Sequence, residues 1–168
     1  MNITGQDWVK KLDLAKYPEG GYYKETYRSQ DLVNQDQALD RYSGTRNAST
    51  AIYYLLVDDD ISVFHKLQSD EIFHFYSGSP MDVQIIDRQG DYHYYKLGNN
   101  PFEDEVLQLV IPHGTWFASG VNVPNSCSLI GCTVSPGFDF SDFTMSPRSQ
   151  LIDLFPQHKA IIEQYTTG

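Results

Sequence analysis

Ile61-Ser62-Val63-Phe64-His65-Lys66-Leu67 and Glu71-Ile72-Phe73-His74-Phe75-Tyr76-Ser77 are two β-branched and aromatic runs, separated only by the polar triplet Gln68-Ser69-Asp70. Side chains alternate across a strand, so the pair reads as two adjacent strands joined by a short turn. Alternation puts His65 with Ile61, Val63 and Leu67 on an inward, apolar face, and Glu71 with Phe73 and Phe75 on the matching face of the second strand. An imidazole aimed into a core needs a polar partner, and pairing of the two strands brings the Glu71 carboxyl toward it. Buried together, the two groups perturb each other's protonation, which makes them candidates for acid–base work or metal binding; the alternative is a satisfied core ion pair. His74 falls on the opposite face unless a bulge intervenes.

The same punctuated pattern extends outward. Thr50–Val57, Met81–Asp87, Tyr92–Lys96, Glu105–Ile111, Thr115–Ala118 and Cys127–Ser135 all read as short strands, broken by Asp58-Asp59-Asp60, Gly78-Ser79-Pro80, Gln89-Gly90 and Pro112-His113-Gly114. No helix of crossover length interrupts them, so a sandwich or barrel is expected rather than a parallel sheet. Upstream, Tyr22–Arg28 places Tyr23, Glu25 and Tyr27 on one side, a polar residue between two aromatics, as in a pocket wall. The polar segment 31–47 reads as a loop or flap. Helical spacing marks Gln6–Ala15, with Thr4 as N-cap, and Ser149–Tyr165, where Pro156 starts a second short helix.

At 168 residues, with 40% hydrophobic and 14% aromatic side chains, the chain supports one well-packed domain, 1–168, and is not disordered. Twelve Lys plus Arg against twenty-two Asp plus Glu give a net charge of −10, a field that disfavours nucleic acid and anionic membranes. The longest apolar run, Ala51–Val57, is too short for a bilayer, and no basic segment followed by an apolar run opens the sequence; a cytoplasmic protein is expected. Cys127 and Cys132 offer neither a disulfide framework nor a zinc knuckle and read as buried thiols. His93, His113 and His158 sit in polar or turn contexts and read as surface residues.

His65, Glu71 and Gly78 resemble the first sequence motif of the cupin superfamily, with Leu67 where that motif has a second histidine. Pro112-His113-Gly114-Thr115-Trp116-Phe117 resembles the second motif, with Phe117 in place of its histidine. Together with Pro18–Tyr27, Ile52–Leu56, Ser69–Tyr76 and Gly131–Phe140, these blocks resemble the small Cupin 5 family over about Trp8–Phe143. The resemblance implies a double-stranded β-helix jelly roll, mainly β, with short terminal helices, a ligand cavity and pairing into homodimers. Gly21, Tyr23 and Glu25 are also similar to an early strand of the metal-independent sugar-nucleotide epimerases of that superfamily, whose catalytic histidine matches His65.

The expected function is therefore small-molecule binding with isomerase- or epimerase-like chemistry on a carbohydrate, a nucleotide-sugar or a similar polar metabolite. In that reading His65 is the base and Glu71 orients it or serves as acid, with Tyr23, Glu25, Tyr27, His74, Phe75 and Trp116 as ligand-binding residues. The alternatives are a metal cupin whose divalent ion is held by His65, Glu71 and His74, and a sensor or carrier that binds without turnover. Tyr53, Phe64 and Tyr76 exceed what one core face needs, which again implies a homodimer.

Overall fold

The computed structural model describes residues 3–34 and 40–167. In chain order the elements are α1 (Gly5–Leu12), β1 (Ala15–Lys16), β2 (Tyr22–Arg28), β3 (Leu32–Val33), β4 (Arg46–Asn47), β5 (Thr50–Val57), β6 (Ile61–Leu67), β7 (Asp70–Gly78), β8 (Met81–Ile86) and β9 (Tyr92–Leu97). They continue as β10 (Glu105–Val106), β11 (Gln108–Ile111), β12 (Trp116–Val121), β13 (Cys127–Ser135), β14 (Phe143–Met145), α2 (Arg148–Leu154) and α3 (Lys159–Gln164). Two six-stranded sheets, β1-β2-β5-β13-β7-β11 and β10-β9-β8-β12-β6-β14, face each other as a jelly roll. β6 and β7 therefore belong to opposite sheets, and the turn between them carries the chain across rather than closing a hairpin.

Between the sheets, one half of the interior is filled by Leu56, Met81, Val83, Leu97, Leu109 and Ile130, while the other half stays open. The helices cover outer faces. α1 starts on a capping box, the Thr4 hydroxyl accepting from the Asp7 amide while the Asp7 carboxylate accepts from the Thr4 amide, and lays Trp8, Val9 and Leu12 over Leu55 and Leu129. It is shorter than its apolar spacing implied, because Asp13 turns left-handed and leads into β1. The C-terminal segment breaks at Pro156 and packs Leu151, Ile162 and Tyr165 on Phe64, Ile86 and Trp116.

Two readings change in the folded chain. Glu105–Ile111 is not one strand: Leu107 is exposed, and the chain switches there from a parallel pair with β9 to an antiparallel pair with β7. Segment 31–47 carries the β3–β4 ladder; its residues 35–39 lie outside the described residues. The rest of it is tied down by Arg46, whose Nε and Nη2 reach the two Asp142 oxygens at 2.6 and 2.7 Å with both side chains buried. Among the described residues, no helix is long and apolar enough to cross a membrane.

Removing one partner of a buried ion pair strands the other charge, at a cost of about 3–5 kcal/mol, whereas an exposed pair is worth about 0–1 kcal/mol. Asp142→Asn should therefore lower the unfolding free energy by about 3 kcal/mol in urea titration. Glu25→Gln, at the half-exposed Arg28 pair, should stay within about 1 kcal/mol of the parent.

Candidate functional site

The open half of the interior is a cavity of about 520 Å³, lined by side chains from β2, β5, β6, β7 and β13, by Tyr17 and Glu19, and by Phe138, Asp139, Phe140 and Phe143. Its deepest polar group is set by an irregularity in β6. Against β12, Phe117 pairs with His65 but Ser119 pairs with Ser62, so one residue of β12 faces two of β6. This bulge breaks the alternation: Ser62 and His65 both turn inward, while Phe64 packs under the C-terminal helices.

His65 meets Glu19 rather than Glu71. Its Nε2 lies 3.2 Å from Glu19 Oε2, and its Nδ1 donates to the Val63 carbonyl at 2.7 Å. The other Glu19 oxygen accepts from the Ser62 hydroxyl at 3.0 Å. Glu19 reaches this depth because Gly20 and Gly21 adopt positive φ, 118° and 69°, and a Cβ on Gly20 would collide with the Ile61 carbonyl. The Val63 amide then donates to the Glu19 carbonyl, and the Tyr54 hydroxyl to that of Gly20.

Burial dominates the protonation of both partners. It holds His65 down to about 4 and, helped by the nearby Glu71, pushes Glu19 well above the carboxylate range. With Nδ1 carrying the proton donated to Val63, the Glu19 carboxyl donates to Nε2, and the pair is neutral with one proton between its members.

Glu71 stands apart on β7, its buried side chain facing the cavity beside Cys132. Burial raises its carboxyl to about 8. Cys132 is pushed up in turn by burial and by the two carboxyls, so it remains a neutral thiol. Toward the mouth, Arg28 grips Glu25 at 3.0 and 2.7 Å and also donates to Asn47 and to the Phe138 carbonyl. The wall is aromatic: Tyr17 lies 4.5 Å from Tyr23, and Phe138 lies 5.0 Å from Phe140, between ring centroids.

Of the residues singled out from the sequence, His65, Glu71, Tyr23 and Glu25 line this cavity, and Tyr27, His74, Phe75 and Trp116 do not. A bulge at Thr26 turns Tyr27 outward and brings Arg28 in. His74 follows plain alternation to the outer face, where the Gln108 amide donates to it and it contacts the Thr133 hydroxyl. Phe75 packs on the filled half of the interior, and Trp116 lies under the C-terminal helices. Glu19, Tyr17, Arg28, Tyr54 and the 138–143 aromatics were missed. Glu19 lies in a Pro-Glu-Gly-Gly turn and carries no periodic signal, since only the crossing of β6 buries it. His93, His113 and His158 engage Asp87, Asp70 and the Gly90 carbonyl away from the cavity.

A metal set of His65, Glu71 and His74 does not fit this arrangement. His74 is on the other face of the sheet, both His65 nitrogens have protein partners, and no group of three His, Cys, Asp or Glu among the described residues is arranged to hold an ion.

Residues 6–146 match the family described as Cupin superfamily (DUF985). The chain belongs to this family. It is 36% identical over 149 residues to an uncharacterized protein of Saccharomyces cerevisiae, an alignment spanning 83% of this chain and 73% of the yeast protein. Among solved structures, this cupin resembles a hypothetical protein from Leishmania major, at 35% identity and a TM-score of 0.88 over 98% of this chain and 99% of the other. A protein from Shewanella oneidensis matches at 34% and 0.87 over 99% of both chains. An oxalate decarboxylase from Bacillus subtilis, at 15% identity and a TM-score of 0.55, covers 92% of this chain with 38% of its own length and shares the fold.

The raised Glu71 carboxyl has a thermodynamic signature. Its protonated form is favoured by folding, so its contribution is fully present below pH 4.5, its ordinary value, and is lost as pH rises through about 8. Stability of the parent should fall across that window by up to about 1.4 kcal/mol per pH unit, and Glu71→Gln should flatten the slope in urea melts at stepped pH.

Proposed function

We propose that this cupin is a small-molecule enzyme that moves a proton on a carbohydrate or similar polyhydroxylated metabolite, with Glu71 as the group that exchanges it. The observation that carries the reading is a buried carboxyl that faces the cavity, and burial raises its proton affinity. A carboxyl so raised is an acid at neutral pH, and its ionised fraction is a stronger base than an ordinary carboxylate. As base, Glu71 takes a proton from carbon next to a ligand carbonyl, the C–H electrons moving into an enediolate. As acid, it returns that proton to the neighbouring carbon while the proton of the adjacent hydroxyl passes to the former carbonyl oxygen, so the carbonyl moves one carbon along. One carboxyl working on one ligand face favours isomerisation over epimerisation.

His65, expected as the base, has both ring nitrogens committed, and its pairing with Glu19 makes it a neutral part of the floor in this reading. Tyr17, Tyr23 and Phe140 supply the flat apolar surface on which the less polar face of a sugar ring packs. The likeness of Gly21, Tyr23 and Glu25 to sugar-nucleotide epimerases supports a carbohydrate ligand, since two of the three line the cavity. The competing reading is a binding module without turnover.

Aldoses and ketoses incubated with the protein in D2O, followed by NMR, decide between them. Turnover predicts deuterium entering carbon beside the carbonyl, a rate rising with pH through about 8, and a loss of about a hundredfold in Glu71→Gln with ligand still bound. Binding without exchange in the parent establishes the binding module instead.

We also propose a homodimer through the outer face of the β2–β5–β13–β7–β11 sheet, where Tyr27, Tyr76 and Val110 are exposed beyond the cover of α1. Phe64, counted toward this surface from the sequence, is instead buried beneath α2 and α3. Sedimentation should give twice the chain mass, and Tyr76→Glu should shift it to the monomer.

A further inference from the structure

Among the described residues, the lining of the cavity contains four carboxyl side chains, Glu19, Glu25, Glu71 and Asp139, and a single Arg or Lys, Arg28. Four of the five N–H donors of that guanidinium are taken. Its Nε and Nη2 hold the two Glu25 oxygens, and its Nη1 donates to Asn47 Oδ1 at 2.8 Å and to the Phe138 carbonyl at 3.1 Å. His65 adds no charge, since Nδ1 is taken by Val63 and Nε2 by Glu19. A carboxylate or phosphate entering this space finds no free counter-charge and meets Asp139 and Glu25 on the way. The net charge of −10 acts in the same direction at long range.

From this arrangement we infer that Glu25 sets the ligand class: by occupying the Nε–Nη2 edge of Arg28 it closes the cavity to anions and leaves it selective for uncharged sugars over uronic acids, sugar phosphates and nucleotide-sugars. The inference rests on the carbohydrate reading of the cavity and narrows it. Glu25 and Arg28 are three residues apart on β2, and the bulge at Thr26 lets both side chains line the cavity. Their guanidinium–carboxylate fork is the geometry in which Arg recognises a ligand carboxylate, and here a side chain of the same protein already fills that place. The deep floor is correspondingly uncharged, Glu19 sharing its proton with His65 and Glu71 carrying its own.

The test titrates the full chain and its Glu25→Gln variant with glucose, galactose, mannose and rhamnose, with glucuronate and galacturonate, and with glucose 6-phosphate, read by ligand-observed NMR at low salt. The expected result is that at least one neutral sugar binds the parent about tenfold or more tightly than every anionic one. Glu25→Gln, which releases the charged fork while keeping the size of the side chain, should raise affinity for the uronates several-fold relative to that for the neutral sugar. Uronates or the phosphate binding the parent as well as the neutral sugars overturns the inference while leaving the carbohydrate reading standing. So does a Glu25→Gln variant whose preference is unchanged. If no sugar of any charge binds, the carbohydrate reading itself fails and the inference falls with it.

Discussion

A carboxyl and an imidazole withdrawn from water cost several kcal/mol unless each satisfies the other, and the meeting of Glu19 with His65 is the constraint around which the cavity is built. Glu19 arrives because Gly20 and Gly21 let the chain touch β6, and both Ser62 and His65 face it because β6 is bulged against β12. The two distortions serve one contact. Once made, it fixes the tautomer of His65 through the Val63 carbonyl and gives the floor a polar yet uncharged surface. The pair sits at the edge of the packed half of the interior, the His65 ring centroid 4.0 Å from that of Phe117, so the open half begins where side chains from both sheets stop meeting.

An uncharged floor changes what the remaining groups can do. Glu71 has no cation beside it to lower its proton affinity, and burial raises it, against a smaller lowering by the Cys132 thiol. The same strand positions in a metal-binding cupin would face an ion; here Leu67 and Phe117 occupy places where the superfamily motifs carry histidines, and both are apolar and buried. Apolar replacements keep the dielectric low, which preserves the perturbed carboxyl.

The mouth is organised by two arginines of different exposure. Arg46 is buried against Asp142 and pins the segment that follows the cis Ser135–Pro136 bond, while Arg28 ties β2 to the Phe138 carbonyl. The aromatic wall of Phe138, Phe140 and Phe143 is thereby held over the cavity by an ion pair on one side and a hydrogen bond from Arg28 on the other, although Phe140 itself is more than half exposed.

Much of this was legible in the chain itself. Short alternating runs between Gly, Pro and Asp turns determined the two-sheet fold and both terminal helices, because side-chain alternation and turn chemistry are local properties. Alternation also placed Glu71, Tyr23 and Glu25 inward and His74 outward, all on regular stretches of strand. It failed wherever a bulge intervened: at Thr26, which exchanged Tyr27 for Arg28, and in β6, which put Ser62 rather than Val63 beside His65. Glu19, Arg28 and the 138–143 aromatics became site residues only through the tertiary structure, since their place at the cavity depends on contacts such as Glu19–Ser62 and Arg28–Phe138, 43 and 110 residues apart, that no local spacing records. A bulge shifts register by a single residue, and because strand side chains repeat every two, that one step reverses which of them a cavity sees.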